Sequence, residues 1–163
     1  MNKKILFLSG LDFKEKSIQV IRITPEYFAQ NDWEVHYITA RNRSIYDSYF
    51  YEKEIDIKNI NIIRMYWPLT NFHDMQKFLL MRRIISRLRR FLVILKLFLK
   101  GFLILKKEKI KIIYGYEYQG VLAAHLLRIF FFCRKIKLIS RYQGTFFFQY
   151  FKTKNILKIL INL

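Results

Sequence analysis

Apolar residues fall in short blocks along most of the chain, and the polar and turn-forming residues between them delimit the predicted elements. Lys4–Leu8 (KILFL) is a continuous apolar run ending at Ser9-Gly10, the pattern of a buried parallel strand entering a turn. The opening also resembles a short secretory leader, but Asp12 follows directly and no small-residue cleavage site appears, so the strand reading is preferred. Ser17 stands where a helix N-cap would, ahead of Ile18, Ile21, Tyr27 and Phe28. A helix is therefore expected to Asn31, kinked or restarted by Pro25. Glu34–Thr39 alternates apolar and polar residues as a half-buried strand does, and a polar loop, Ala40–Asn59, follows it. Ile60–Tyr66 predicts a third strand, stopped at Trp67-Pro68 because proline restricts its predecessor and has no ladder donor.

From Met75 to Lys107 the chain has no proline and one glycine, Gly101, among dense Leu, Ile, Phe, Arg and Lys, which predicts a long or broken helix. A fourth strand, Ile110–Tyr116, a helix, Gly120–Phe132, and a fifth strand, Lys137–Tyr142, complete an alternation of strand and helix. Residues 152–163 carry a helical pattern that reaches the last residue without a cap, which reads as a truncation. No repeat or linker divides residues 1–163, so one domain is expected. The predicted class is α/β: a Rossmann-like open, mostly parallel sheet with helices on both faces.

Such sheets bind ligands beyond the carboxyl ends of their strands. The candidates there are Ser9 and Gly10 after strand one, Tyr116, Glu117, Tyr118 and Gln119 after strand four, and Gln143, Gly144 and Thr145 after strand five. Gly10 and Gly144 would let backbone amides approach a ligand, although each also suits a plain turn. Glu117, between two tyrosines, suits either hydrogen bonds from the hydroxyls of a ligand or a helix cap. A single carboxylate is not the pair that glycoside hydrolysis uses, and no catalytic residue is assigned. His36, His73 and His125 are scattered, lack zinc spacing and are expected to be structural. Cys133, the single cysteine, ends the apolar run Ile129–Cys133 and is expected to be packed and inert. Gly-rich nucleotide motifs and the Gly-x-Ser-x-Gly elbow are absent.

Charge changes the picture of the long helix. Thirty Lys and Arg against twelve Asp and Glu give a formal +18, a field that attracts phosphates, anionic lipid surfaces or nucleic acid. Part of the Ile, Lys, Asn, Phe and Tyr enrichment reads as AT-rich coding and is discounted. Arg82, Arg89, Lys96, Lys100 and Lys107, spaced seven, seven, four and seven apart, share one helical face, with Arg83, Arg87 and Arg90 beside it. The longest stretch without a charged residue is ten residues, half the ~20 a spanning helix needs. Two readings of this helix remain: an interfacial helix lying on an anionic membrane, and a helix packed on the sheet with a solvated basic face.

The segments KILFLSG, NDWEVHYIT, INIIRMYWPL, IYGYEYQGVLAAHLL and KLISRYQGT resemble, in the same order, the N-terminal domain of family-four glycosyltransferases. The resemblance implies a retaining, two-domain GT-B enzyme in which this half faces the acceptor and an absent C-terminal domain holds the nucleotide-sugar donor. It implies no cofactor in this half. It also implies a glycan or lipid-linked acceptor, transfer of hexosyl units in bacterial surface polysaccharide biosynthesis, and a cytoplasmic protein peripheral on the inner face of the plasma membrane. The family's donor motif, two Glu separated by seven residues, is matched by Glu26 and Glu34 only by chance, because they fall on helix one and strand two. Where the family often has His-Gly after the fifth strand, Gln143-Gly144 stands here, so no histidine role transfers, though Gln143 could bond a sugar hydroxyl. The isolated chain is expected to be incomplete and inactive. Two alternatives stay open: a non-catalytic remnant, and a nucleic-acid module using the charge with eleven Tyr and sixteen Phe, although no RNA- or DNA-binding motif accompanies them.

Overall fold

Successive side chains of a strand point to opposite faces, and in the central strand this alternation builds both cores. The computed structural model describes residues 3–10, 19–41, 58–66 and 79–142. In β1 (Lys3–Ser9), Leu6 and Leu8 enter one hydrophobic cluster and Ile5 and Phe7 the other, none more than 2% exposed. Burial on both sides is why this strand reads as an unbroken apolar run.

The remaining elements are α1 (Gln19–Gln30), β2 (Trp33–Arg41), β3 (Ile60–Tyr66), α2 (Leu79–Lys107), β4 (Ile112–Tyr116), α3 (Glu117–Phe130) and β5 (Lys137–Arg141). All five strands are parallel, in the order β3-β2-β1-β4-β5. The chain winds outward from β1 to β3, then crosses back to β4 and β5 on the other side. Right-handed crossovers in opposite directions place helices on opposite faces. Ile21 and Ala29 of α1 accordingly pack with Phe7, Val35, Tyr37 and Tyr114, whereas Val93, Leu97 and Leu105 of α2 and Leu127 of α3 pack with Leu6, Leu8, Ile38 and Ile113. On the α1 side Phe7 stacks between Tyr37 (5.9 Å) and Tyr114 (4.8 Å), its register neighbours on β2 and β4.

The architecture matches the alternation in the sequence, with local differences. α1 runs unbroken through a buried Pro25, its inner face held by Ile21 and Ala29. α3 begins at Glu117, directly after β4, instead of at Gly120. β5 lies at the margin of the described sheet and is mostly exposed. Cys133 is exposed, a correction to its expected packing: α3 ends at Phe130, so the apolar run after it lies in a turn beyond the core. The polar loop over 42–57, the Trp67-Pro68 turn and the helical pattern at 152–163 lie outside the described residues.

At the amino edge of the sheet, Lys4 Nζ bridges Glu34 Oε2 (2.8 Å) on β2 and Glu108 Oε2 (2.7 Å) after α2. The hydrogen bond from Lys4 holds the Glu108 carboxyl below its ordinary 4.5, and the bonds to Glu108 and Glu34 hold the Lys4 ammonium above its ordinary value. A carboxyl with a depressed folded pKa contributes stability above its unfolded pKa and loses it as pH falls through the folded one. Glu108→Gln is therefore expected to flatten the acid limb of the stability curve from about pH 5 downward. Urea midpoints measured at stepped pH check this, and an acid limb as steep as the unmodified chain's would contradict it.

Candidate functional site

Where the winding reverses, between β1 and β4, the chain leaves adjacent strand ends in opposite directions and opens the crevice expected to hold ligands. Ser9 and Tyr116 are register partners there. α3 starts without a loop because two glycines let it descend onto the sheet. A Cβ on Gly120 would lie 2.0 Å from the Leu8 carbonyl oxygen, and one on Gly115 2.7 Å from Val121 Cα. The tight turn is completed by Glu117, at φ 56°. The other non-glycine residues at positive φ, Asp32 and Asn59, are of the short polar type that tolerates it. A glutamate is not, and the conformation costs about 1–2 kcal/mol. Strain of this kind persists where the surrounding structure over-determines it, and functional sites are enriched in it.

Around this turn the candidates divide. Ser9 is fully buried, Tyr116 is 4% exposed within the α1-side core and Gly10 is buried, so these three form the wall. Glu117, Tyr118 and Gln119 are half-buried and form the accessible surface. Gln119 lies over Gly10, where an added Cβ would meet its Oε1 at 2.9 Å. The N-cap of α3 is Tyr116, without a side-chain cap bond, so Glu117 is a first-turn residue and not the cap. Gln143, Gly144 and Thr145 lie outside the described residues.

Two residues not chosen for this site from the sequence belong beside it. Burial raises the Tyr118 hydroxyl pKa, opposed by the charge of Arg90, and Tyr142 is raised by burial and then by Tyr118. Arg90 is half-buried and stands two turns before Leu97 on the line of α2 that faces the sheet, not beside the basic face where the spacing placed it. α2 begins at the carboxyl pole of the sheet, so its inner line carries Arg90 where the core ends and Val93, Leu97, Gly101 and Leu105 where it continues.

The outward side of α2 departs most from expectation. Ile84, Leu88, Phe91, Leu95, Leu99 and Leu103 form a stripe 40–61% exposed, roughly opposite the buried line. Lys96, Lys100 and Lys107 are exposed on one flank of this stripe, with half-buried Arg89 beside them, and exposed Arg87 lies on the other side. Arg82 and Arg83 belong to α2, but their side chains lie outside the described residues. A helix packed on the sheet with a basic solvated face is therefore not what is found: the face turned to water is apolar, with cations at its border. Phe98 and Phe102 meet Phe130 of α3 at 5.2 and 6.4 Å, and Ile129, Phe130 and Phe132 add further exposed apolar surface there. Among the described residues, no helix is long and apolar enough to cross a membrane.

The histidines lie apart from this site. His36 is 7% exposed on β2, 3.1 Å from Glu34 Oε1; His125 Nε2 is 3.4 Å from Ser140 Oγ; His73 lies outside the described residues. No group of three metal-binding side chains occurs among the described residues. No protein-family model and no curated protein matches the chain, so its functional reading rests on the fold, the switch-point geometry and the surface of α2.

Proposed function

We propose that this chain is the acceptor-side half of a GT-B-type glycosyltransferase working against an anionic membrane surface, with a glycan or lipid-linked saccharide as acceptor. The observation that carries the reading is the strained, half-buried Glu117 at the switch point of a parallel sheet, flanked by Tyr118 and Gln119. A carboxylate accepts, and an amide both accepts and donates, the hydrogen bonds that position sugar hydroxyls. The ordered series of strand-end segments supports the same assignment. In this reading the nucleotide sugar sits in a second Rossmann-like domain facing these strand ends, and transfer needs both halves to bring donor and acceptor together. The exposed stripe of α2 lies in the membrane interface, and its bordering Lys and Arg face lipid phosphates. Of the aromatic residues that the nucleic-acid alternative draws on, Phe7, Tyr37, Tyr114 and Tyr116 are core residues, whereas Tyr27, Phe91, Phe130, Phe132 and Tyr142 are exposed.

Binding of a panel of oligosaccharides and lipid-linked saccharides, followed by saturation-transfer NMR, tests the proposal. Glu117→Gln is expected to weaken the best-bound saccharide about tenfold, the scale of one charged hydrogen bond. Glu117→Gly should weaken binding too, yet stabilise the fold by about 1 kcal/mol by removing the positive-φ strain. A panel in which no saccharide prefers the unmodified chain over Glu117→Gln would sink the proposal. So would nucleotide-sugar turnover by this chain alone, because the donor site is assigned to the other domain.

A further inference from the structure

At the amino pole of the sheet, away from the switch point, three segments far apart in sequence enclose a cleft of about 640 Å³. Lys4 is the second residue of β1, Lys107, Lys109 and Lys111 come from the end of α2 and the connection to β4, and Arg134 and Lys135 precede β5. We propose that this cleft binds a multiply charged phosphate anion, of the class represented by a free diphosphate or a phospholipid headgroup. Six cations line it against one carboxylate, Glu108, a formal +5. That carboxylate is already engaged by Lys4, which also holds Glu34. Among the described residues, Lys109, Lys111 and Lys135 have no ion-pair partner. The carboxyl end of α2 answers part of the charge of Lys107 and of Arg134, whose guanidinium donates to the Leu105 carbonyl.

The walls are fixed by two backbone bonds and one from a side chain. Lys111 N–H donates to the Lys4 carbonyl (3.1 Å), Lys137 N–H donates to the Lys111 carbonyl (3.0 Å), and the Arg134 guanidinium donates to the Leu105 carbonyl. Ile110 and Ile136, 6% and 8% exposed, make an apolar base. Like charges are thus gathered by the fold itself, and a compact polyanion relieves their repulsion. Lysine ammonium groups act as compact point charges, whose attraction rises with the charge of the ligand and so favours a multiply charged phosphate over a single carboxylate. Lys4 lies near the start and Ser9 at the end of β1, about 17 Å apart at ~3.3 Å per residue, so the cleft is separate from the candidate acceptor site.

Titration calorimetry of the full chain with inorganic pyrophosphate at fixed salt tests the site. The triple variant Lys109→Gln, Lys111→Gln, Lys135→Gln is expected to bind at least tenfold more weakly, with a shallower salt dependence and an unchanged thermal midpoint, since all three side chains are exposed. A control lowers the charge equally outside the cleft with Lys3→Gln, Lys58→Gln and Arg128→Gln, and should bind pyrophosphate as the unmodified chain does. Vesicles with and without phosphatidylglycerol separate the sources: a variant defective on both probes identifies a headgroup site, and one defective on pyrophosphate alone identifies a soluble phosphate ligand. Pyrophosphate affinity unchanged in the variant, whatever happens on vesicles, equal loss in the control, or no millimolar binding by the unmodified chain overturns the proposal.

Discussion

Gly120→Ala is expected to destabilise the chain by about 3 kcal/mol, near the upper end for overpacking a well-filled site. The added methyl would sit 2.0 Å from the Leu8 carbonyl oxygen and 3.3 Å from Ser9 Cα, both backbone atoms of the central strand. A flexible side chain can swing away from such a contact, but a strand paired on both sides cannot. Relief must come from lifting α3, which carries Val121, Ala123, Ala124 and Leu127 in the core. Gly10→Ala provides the comparison, because its methyl would meet the Gln119 side chain at 2.9 Å, and that amide can rotate. Its cost should stay under about 1 kcal/mol. Urea unfolding of both variants checks the pair, and equal midpoints would show that α3 does not bear on β1 as described.

The second large effect concerns membrane binding. Replacing Leu88, Leu95 and Leu99 together by Ser is expected to reduce partitioning onto phosphatidylglycerol vesicles about a hundredfold. Each leucine is already 40–50% exposed, so the further burial available at an interface is about half a side chain, roughly 1 kcal/mol apiece, and three of them give about 3 kcal/mol. Stability should change little, because these side chains face away from the core. Lys96→Gln with Lys100→Gln removes two flanking charges, each contributing about 1 kcal/mol near an anionic surface, and should have a smaller effect that fades with salt. Co-sedimentation with vesicles at two salt concentrations distinguishes the contributions. If the serine variant binds undiminished while the glutamine variant does not, attraction is electrostatic alone and the stripe has another purpose. A serine variant that unfolds would show that the stripe is internal.

Both predictions turn on features that differ in how visible they are along the chain. The strands were legible because each is a local run whose burial leaves its mark residue by residue: Leu6 and Leu8 on one side of β1, Ile5 and Phe7 on the other. The switch-point residues were legible too, since strand order in this class makes carboxyl ends the place to look. What escaped was information carried between distant segments. α2 is apolar on two opposite faces, and nothing in its own spacing tells which face meets the sheet; the packing of Val93, Leu97 and Leu105 decides it. Spacing groups Arg90 with the basic residues for the same reason, although its position on the inner line lets its charge act on Tyr118. The left-handed turn at Glu117 arises from the fit of Gly120 onto Leu8, a contact between residues over a hundred positions apart. The amino-pole cleft is assembled from three separate stretches, each an ordinary lysine-rich connection by itself.

The exposure of Cys133 gives the molecule its own reporter. It is the single thiol of the chain and follows Phe132, which is 80% exposed at the end of the apolar surface joining α2 and α3. A spin label or environment-sensitive dye attached there samples that surface without any introduced cysteine, so depth in a lipid layer can be measured on the native sequence.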